Sequence, residues 1–591
     1  MISYRIDFDH VHAHLLRVTL TVPEPAARQR LSLPVWIPGS YLVREFARHL
    51  SGLAARQGRR AVPLTQIDKA TWQAECAGRG ALVVSCLVYA FDNSVRAAFV
   101  DAQRGFFNGT SVCLRVEGRE TGPHRIELRS LPPGWQVATA MPEVAEGAYE
   151  SANYDELVDH PFELGAFWRG SFSAHGVPHE VVVAGALPDF DGARLLADAQ
   201  RICVAAISFW HGQAPARREL PFKRYVFLLN AVEDGYGGLE HRASTALIAA
   251  RRDLPRRALA GAASEPLTDG YVTLLGLISH EYFHSWSVKR LRPHEFERYD
   301  YTRENYTELL WFFEGFTSYY DDLLLLRAGL IDAPRYLKAV SKTLGHVLGA
   351  PGRRVQSLAQ ASFDAWVKYY RADENSPNAT VSYYTKGSLL ALALDLSLRS
   401  AAPRRQVSLD DVMRGLWARS AGGPIREADI VAVLREVAGP IAADALAQQF
   451  DAWVHGTGEL PLAELLQPFG VQWQAQPATL VQQLAIRVNE SALTGIKVSH
   501  VLRGGAGERA GLSPGDEVLA LDGWRLRRLD DAQRLLAPGQ SARLLVARDQ
   551  RLLTLTLERP AAGEASGSVT LHADAKAPRA ALALRRAWID G

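Results

Sequence analysis

The chain has 591 residues, 48% of them apolar and 22% charged, an ordinary soluble balance with material for several cores. That length excludes a single core and predicts roughly three to five domains. A formal net charge of +2 carries no polyanion-binding signature, so nucleic acid is not an expected partner.

Cys76, Cys86, Cys113 and Cys203 follow neither metal-type nor disulfide-framework spacing and read as free thiols of a reducing compartment. The opening MISYRIDFDH lacks a basic segment followed by an apolar run, and no stretch approaches the roughly 18 apolar residues that span a bilayer. The expectation is a cytoplasmic protein with no membrane partner.

In chain order, residues 1–172 are expected to form an all-β domain. Short alternating runs (Arg17–Val22, Leu31–Trp36, Ala81–Tyr89) are separated by Pro, Gly, Asn and Asp. PVWIPGSYLVREF, Pro34–Phe46, reads as a strand entering a Pro-Gly turn. The period then changes, and residues 173–477 read as an α+β unit dominated by helices. Ala193–Trp210 is an amphipathic helix and Arg224–Val232 a strand. Helical patterns follow at Tyr271–Val288, Thr307–Arg327, Pro334–Leu348, Lys386–Leu398 and Ala428–Val437. Residues 478–560 turn β-rich again, with strands at Leu484–Val488, Ile496–Leu502, Arg543–Arg548 and Leu552–Leu557 and a helix near Asp530–Ala537. Residues 561–591 read as a Gly/Ala/Ser-rich linker and a basic tail.

HEYFH, His280–His284, carries the chemistry. Positions four apart on a helix share a face, so the two imidazoles can take two corners of a tetrahedral Zn²⁺, with Glu281 beside them as base. Leu274, Leu275, Leu277 and Ile278 precede the motif, so the helix is buried, and two histidines and a glutamate buried without compensation are costly. WFFEGFTSYY, Trp311–Tyr320, has one carboxylate among aromatics, Glu314, the candidate third ligand. His, His and Glu leave a fourth position for water, as a hydrolytic site requires. Asp321, two turns past Glu314, is the candidate carboxylate for orienting a ligating imidazole.

These residues resemble the gluzincin metallopeptidases, and most closely the bacterial glycyl aminopeptidase family, in which a β domain, a thermolysin-like catalytic domain and a PDZ domain are commonly joined. PVWIPGSYLVREF, HEYFHSWSVKRLRP and WFFEGFTSYY carry the likeness, together with the domain order. The resemblance implies one Zn²⁺ per chain and small amino-terminal residues (Gly or Ala) in the substrate. YGGLEH, Tyr236–His241, is similar to the aminopeptidase box whose glutamate holds the free amino group. It assigns that role to Glu240, with Gly238 and His241 beside it, although Leu239 and His241 stand where the wider pattern has Met and Asn. YYTKG, Tyr383–Gly387, is similar to the Y-x-K-G element whose tyrosine steadies an oxyanion, which selects Tyr384 with Tyr383 as the alternative. AGLSPGDEVLALDG looks like the second half of a PDZ domain. Its upstream LTGI (Leu493–Ile496) departs from the usual carboxylate-binding loop, so capture of a peptide carboxy terminus and a purely structural role both stand.

The expected function is a zinc aminopeptidase acting on peptides with a free amino terminus. The alternatives are a zinc endopeptidase and a non-catalytic PDZ-type binding protein.

Overall fold

The computed structural model describes residues 1–257, 266–401 and 406–590. By its own packing the chain forms two units. One is Met1–Tyr306 with Ala328–Leu330 and Trp417–Ile425; the other is Thr307–Arg327 with Ile331–Leu416 and Arg426–Gly591. Among the described residues no helix is long and apolar enough to cross a membrane.

The first unit begins with sheets because its strands alternate. Leu15–Val22 buries Leu16, Val18, Leu20 and Val22 and turns the residues between them outward. One eight-stranded and two four-stranded sheets enclose a common core. The Pro34–Phe46 segment is irregular chain rather than a strand, and its neighbouring strand stops at Ser32. Pro34 and Pro38 have no N–H to give a ladder. The segment is held by other bonds instead: the Val35 N–H donates to Tyr301 O at 2.8 Å and the Trp36 indole to Asp300 O at 2.8 Å.

A five-stranded sheet follows, in the spatial order Trp168–Ala174, Val177–Ala184, Tyr225–Val232, Ser244–Ala250 and Tyr236–Glu240. Tyr236–Glu240 is an edge strand, paired antiparallel with Ser244–Ala250 alone. Leu239 and Ala246 from this end of the sheet enter the amino-terminal core, which fixes which way the edge strand faces.

The histidine-bearing helix spans Asp269–Phe283, with the Thr268 side chain accepting the Tyr271 N–H at 3.1 Å as its cap. It ends five residues before the predicted Val288. The chain tightens into i−3 bonds at Ser285 and Trp286 and then turns at Val288, whose φ is +85°. That value is strained for a β-branched residue.

In the second unit the predicted Thr307–Arg327 helix is divided into Leu310–Phe313 and Gly315–Arg327, with Glu314 at the join. Ala333–Leu348 and Tyr383–Ala401 are its longest helices. The region beyond residue 485 is a six-stranded sheet with its own core. Its first strand begins at Ile486 rather than Leu484, because Leu480–Leu484 is a helical turn whose Thr479 N–H is taken by Gln482. The helix expected near Asp530–Ala537 is a 3-10 segment, Leu529–Arg534.

The terminal segment is not a loose linker and tail. Val569–Ala573 pairs antiparallel with Val471–Ala475, and Arg579–Ile589 is a helix; the final residue lies outside the described ones. Trp588 is fully buried and donates to Tyr319 Oη at 3.0 Å, while Arg399 donates to Ala587 O. The Gly/Ala/Ser-rich stretch ends before Val569, and the apolar residues after it fold back. The chain is thus multidomain and α+β, with an all-β amino-terminal region, a helical middle and a β-rich carboxy-terminal region.

Candidate active site

His280 and His284 stand on successive turns of the buried helix, their Nε2 atoms 3.1 Å apart and their rings nearly perpendicular at 85°. His284 Nδ1 lies 2.9 Å from Ser287 O. A carbonyl can only accept, so Nδ1 carries the proton and the Nε2 lone pair faces His280. The early unwinding of the helix is what carries Ser287 round to that nitrogen. Two ligands about 2.0–2.1 Å from one tetrahedral ion sit about 3.3 Å apart, so the pair suits a zinc-sized cation. His280, His284 and Glu314 are the residues with the donor atoms to hold a metal ion.

The edge strand closes on this helix. A Cβ built on Gly238 would fall 2.1 Å from Glu281 Oε1, so the Glu281 carboxylate occupies the space a side chain at 238 would need. Only glycine permits that approach. The strand is held there in part by Arg96, which donates to Gly238 O at 3.2 Å. Residues two apart on a strand share a face, so Glu240 lies on the same side as Gly238. Glu240 is buried, and its carboxylate rests against the Pro38–Gly39 turn: a Cβ on Gly39, where φ is +92°, would meet both carboxylate oxygens at 2.5 Å. The Pro-Gly turn of the amino-terminal motif therefore forms one wall around Glu240.

His241 belongs to a different environment. It is buried, with Nδ1 3.4 Å from Asp159 Oδ1, and burial holds its imidazole below its ordinary pKa. Asp159 also receives Lys289 Nζ at 2.7 Å and the Arg242 N–H at 2.9 Å. Burial alone would raise the Asp159 carboxyl, but Lys289, Arg242 and His241 outweigh it and hold the group well below the carboxylate range. The imidazole's neighbour is thus a carboxylate of an ionic cluster.

In the other unit, Glu314 is buried at the join of its two short helices, its N–H bonded to Leu310 O at 2.8 Å. The glycine after it is needed for packing. A Cβ on Gly315 would meet Gly387 Cα at 2.5 Å and Tyr383 O at 2.8 Å, and one on Gly387 would meet Trp311 O at 2.6 Å. The Glu-Gly and Lys-Gly motifs are two sides of one backbone-to-backbone contact between helices. That contact brings Tyr384 into the field of Glu314: burial first, then the Glu314 charge, raises the Tyr384 hydroxyl well above the ordinary tyrosine value. Tyr384 Oη lies 3.3 Å from Tyr370 Oη, whereas Tyr383 is fully buried in the helix interface. Asp321 Oδ1 accepts the Asp322 N–H at 2.6 Å, and His284 Nδ1 has Ser287 O as its acceptor.

Sequence reasoning passed over Lys289, Asp159, Arg242, Tyr369 and Tyr370. Lys289 sits in the basic run KRLRP after the histidine helix, which ordinarily marks a solvated face. Asp159 lies more than a hundred residues away with no motif around it, so nothing local signals the pairing. Tyr369 is ring-packed on both Tyr383 and Tyr384.

Three family descriptions match the chain in order: "Peptidase M61 N-terminal domain" at residues 3–166, "M61 glycyl aminopeptidase" at 273–390 and "PDZ domain" at 497–548. No curated protein matches. Among solved structures, an aminopeptidase N family protein from Idiomarina loihiensis is 36% identical with a TM-score of 0.91, covering 100% of both chains. A mutant M1 zinc metallopeptidase from Deinococcus radiodurans is 16% identical (TM-score 0.46, 78% of this chain and 95% of its own). Aminopeptidase A of Legionella pneumophila in complex with aspartic acid is 11% identical (TM-score 0.40, 95% of this chain and 57% of its own). The full-length likeness at 36% identity and the three matches in order establish that the chain belongs to the M61 glycyl aminopeptidase family of peptidases, with a PDZ domain at its carboxy-terminal end.

Proposed function

We propose that the chain is a zinc aminopeptidase that removes small residues, glycine or alanine, from the free amino terminus of peptides. The observation that carries this reading is the arrangement in the first unit. A convergent pair of Nε2 atoms, a carboxylate beside them at Glu281 and a second carboxylate at Glu240 lie along one sheet edge. An extended peptide can add to that edge, and Glu240 would then take its α-ammonium and set the register, so that only the first peptide bond reaches Glu281.

His280, His284 and Glu314 would hold one zinc ion. When bound, zinc supplies Lewis acidity that makes water a nucleophile near neutral pH. Glu281 accepts the proton of the attacking water and delivers it to the departing amine, within a niche that Gly238 leaves open. The Tyr384 hydroxyl donates a hydrogen bond to the oxyanion that forms at the carbonyl. The preference for a small first residue follows the glycyl aminopeptidase family description. The PDZ region carries a cleft of about 890 Å³ lined by Leu493, Ile496, Leu519, Arg525 and Arg528 among others, which would suit a peptide carboxy terminus. All four cysteines are free, in keeping with a reducing compartment such as the cytoplasm.

Hydrolysis of alanine p-nitroanilide and its N-acetyl derivative tests the reading. The free amine should be cleaved and the acetylated compound left intact, and a chelator should abolish turnover. Equal cleavage of both would make the protein an endopeptidase and remove the role given to Glu240.

A further inference from the structure

We propose that Arg96 is a second substrate-binding residue: it interrupts the sheet edge at Gly238 and takes the free carboxylate of a short peptide, above all a dipeptide, laid between it and Glu240. The register rests on the reading of Glu240 given above.

The hairpin fixes which groups of the edge strand face outward. The His241 N–H donates to Ser244 O at 3.0 Å, so these two residues form a hydrogen-bonded pair. Bonded and non-bonded pairs alternate in an antiparallel ladder. Back along the strand, Glu240 opposite Thr245 is therefore a non-bonded pair and Leu239 opposite Ala246 a bonded one, and Gly238 opposite Leu247 is non-bonded again. In keeping, Leu239 O turns to the sheet side, where it accepts from Thr245 Oγ1 at 3.0 Å. The N–H and C=O of Gly238 and Glu240 point the other way, along the line where an added peptide would pair. At Gly238 that line is already taken, because Arg96 Nη2 donates to Gly238 O at 3.2 Å. A Cβ on Gly237 would stand 3.8 Å from Arg96 Nη1 and 3.9 Å from Nη2, so the guanidinium lies alongside both glycines. Glu281 approaches Gly238 from the face of the strand and Arg96 from its edge.

Arg96 is held in place but given no anion. Its loop is fastened at Asn93, whose side-chain oxygen accepts from Asn230 Nδ2 at 2.9 Å and from Arg104 Nη1 at 2.8 Å. The Arg96 N–H donates to Ser94 Oγ at 3.3 Å. The side chain is half-buried, and its Nε is enclosed without a hydrogen-bond partner. Among the described residues no carboxylate pairs with it, whereas the nearby Arg104 is gripped by both oxygens of Glu163. A partly desolvated cation with one neutral acceptor is costly, and a carboxylate would match its planar fork.

Spacing supplies the substrate class. Glu240 and Gly238 are two residues apart, about 6.5 Å along a strand, which is the backbone length of a dipeptide. With the α-ammonium at Glu240, the first peptide bond lies short of Gly238 and the second residue's carboxylate reaches Arg96. A longer peptide must leave the edge at that point.

The test uses the full-length zinc-loaded enzyme with alanylglycine and alanylglycinamide, which differ only in the carboxylate. The wild type should favour the acid in kcat/KM by about tenfold, the low end for a hydrogen bond to a charged group, since Arg96 is only half-buried. In Arg96→Gln that ratio should fall to about one, chiefly through KM for the acid. A loss common to both substrates cancels in the ratio and measures the brace on Gly238. Arg96→Lys, which keeps the charge without the fork, should retain part of the ratio. Equal cleavage of acid and amide by the wild type, or an acid preference that survives Arg96→Gln, would reduce Arg96 to a brace for the strand. Alanine p-nitroanilide and its N-acetyl derivative read the other end of the substrate. If Glu240→Ala keeps the preference for the free amine while the acid preference still depends on Arg96, only the reading of Glu240 fails. If Glu240→Ala loses it and Arg96→Gln keeps the acid preference, only the inference about Arg96 fails.

Discussion

Two close contacts in this molecule depend on glycine for opposite reasons. At Gly238, in the first unit, the space left by the missing side chain is filled by the Glu281 carboxylate. At Gly315 and Gly387, in the second, it is filled by backbone, as two helices meet Cα to Cα. The local requirement is the same: each position rejects a Cβ. The consequences should differ, because one niche houses the carboxylate proposed as the base and the other is a scaffold joint that packs the helices of Glu314 and Tyr384 together. Substitution at the first should show in rate, and at the second in stability.

The largest effect expected is from Glu281→Gln, which keeps shape and volume in the Gly238 niche and removes only the ability to take a proton. Turnover should fall about 10³- to 10⁴-fold, the range of a general base, while the melting temperature stays within about 2 °C and the metal content is unchanged. Substantial remaining activity in a metal-replete sample would dissolve the distinction, since the niche would then hold nothing essential. Gly238→Ala probes the same niche from the strand side. Its Cβ would lie 2.1 Å from Glu281 Oε1, so the carboxylate must swing away, and a displacement on the ångström scale costs on the order of 10²-fold in kcat. Far-UV circular dichroism and thermal melts should remain near wild type. A large loss of stability would show the niche to be a packing joint like the other.

How much of this was legible beforehand follows the range of the signals. The His280–Glu281–His284 spacing is a five-residue pattern on successive helical turns, so it could be read directly, and the flanking leucines marked the helix as buried. Glu314 was legible for a related reason: one carboxylate among aromatics calls for compensation. The helix ends were not legible. Tyr271–Val288 looks uniformly helical, yet the chain turns after Phe283 and places Val288 at a φ that favours glycine. Propensity gives no hint of it, since tertiary contacts impose the strain. The surroundings of His241 were not legible, because it follows the last residue of the edge strand and its ring meets Asp159, a residue distant in the chain that no local pattern signals. The Asp159–Lys289 pair was invisible, being a long-range meeting of two unremarkable residues. Composition misled at the carboxy terminus: a Gly/Ala/Ser-rich stretch implied a tail, but Val569, Leu571 and Trp588 are buried.

The helix joint should respond with a smaller change in rate and a larger one in stability. Gly387→Ala puts a methyl 2.6 Å from Trp311 O, and overpacking of that kind costs about 1–3 kcal/mol, read as an earlier midpoint in urea with an unchanged slope. Turnover per folded molecule should fall less than in Gly238→Ala, because Tyr384 and Glu314 shift together with their helices. Gly315→Ala should act on the same joint, so the pair should be less than additive.

The smallest effect expected is at the tip of the PDZ region. Leu493 is 98% exposed in the turn between two paired strands, where the Thr494 N–H is taken by Ser491 Oγ at 2.8 Å and Gly495 pairs with Ser491. This LTGI segment closes a hairpin, and the donor at Thr494 is already engaged within it. Leu493→Ser should therefore change stability by less than about 0.5 kcal/mol and leave alanine p-nitroanilide kinetics unchanged. A peptide long enough to reach the cleft is the discriminating substrate. If its KM rises in Leu493→Ser while the anilide is unaffected, the cleft holds part of the peptide; if both substrates behave as in wild type, this hairpin takes no part in substrate capture.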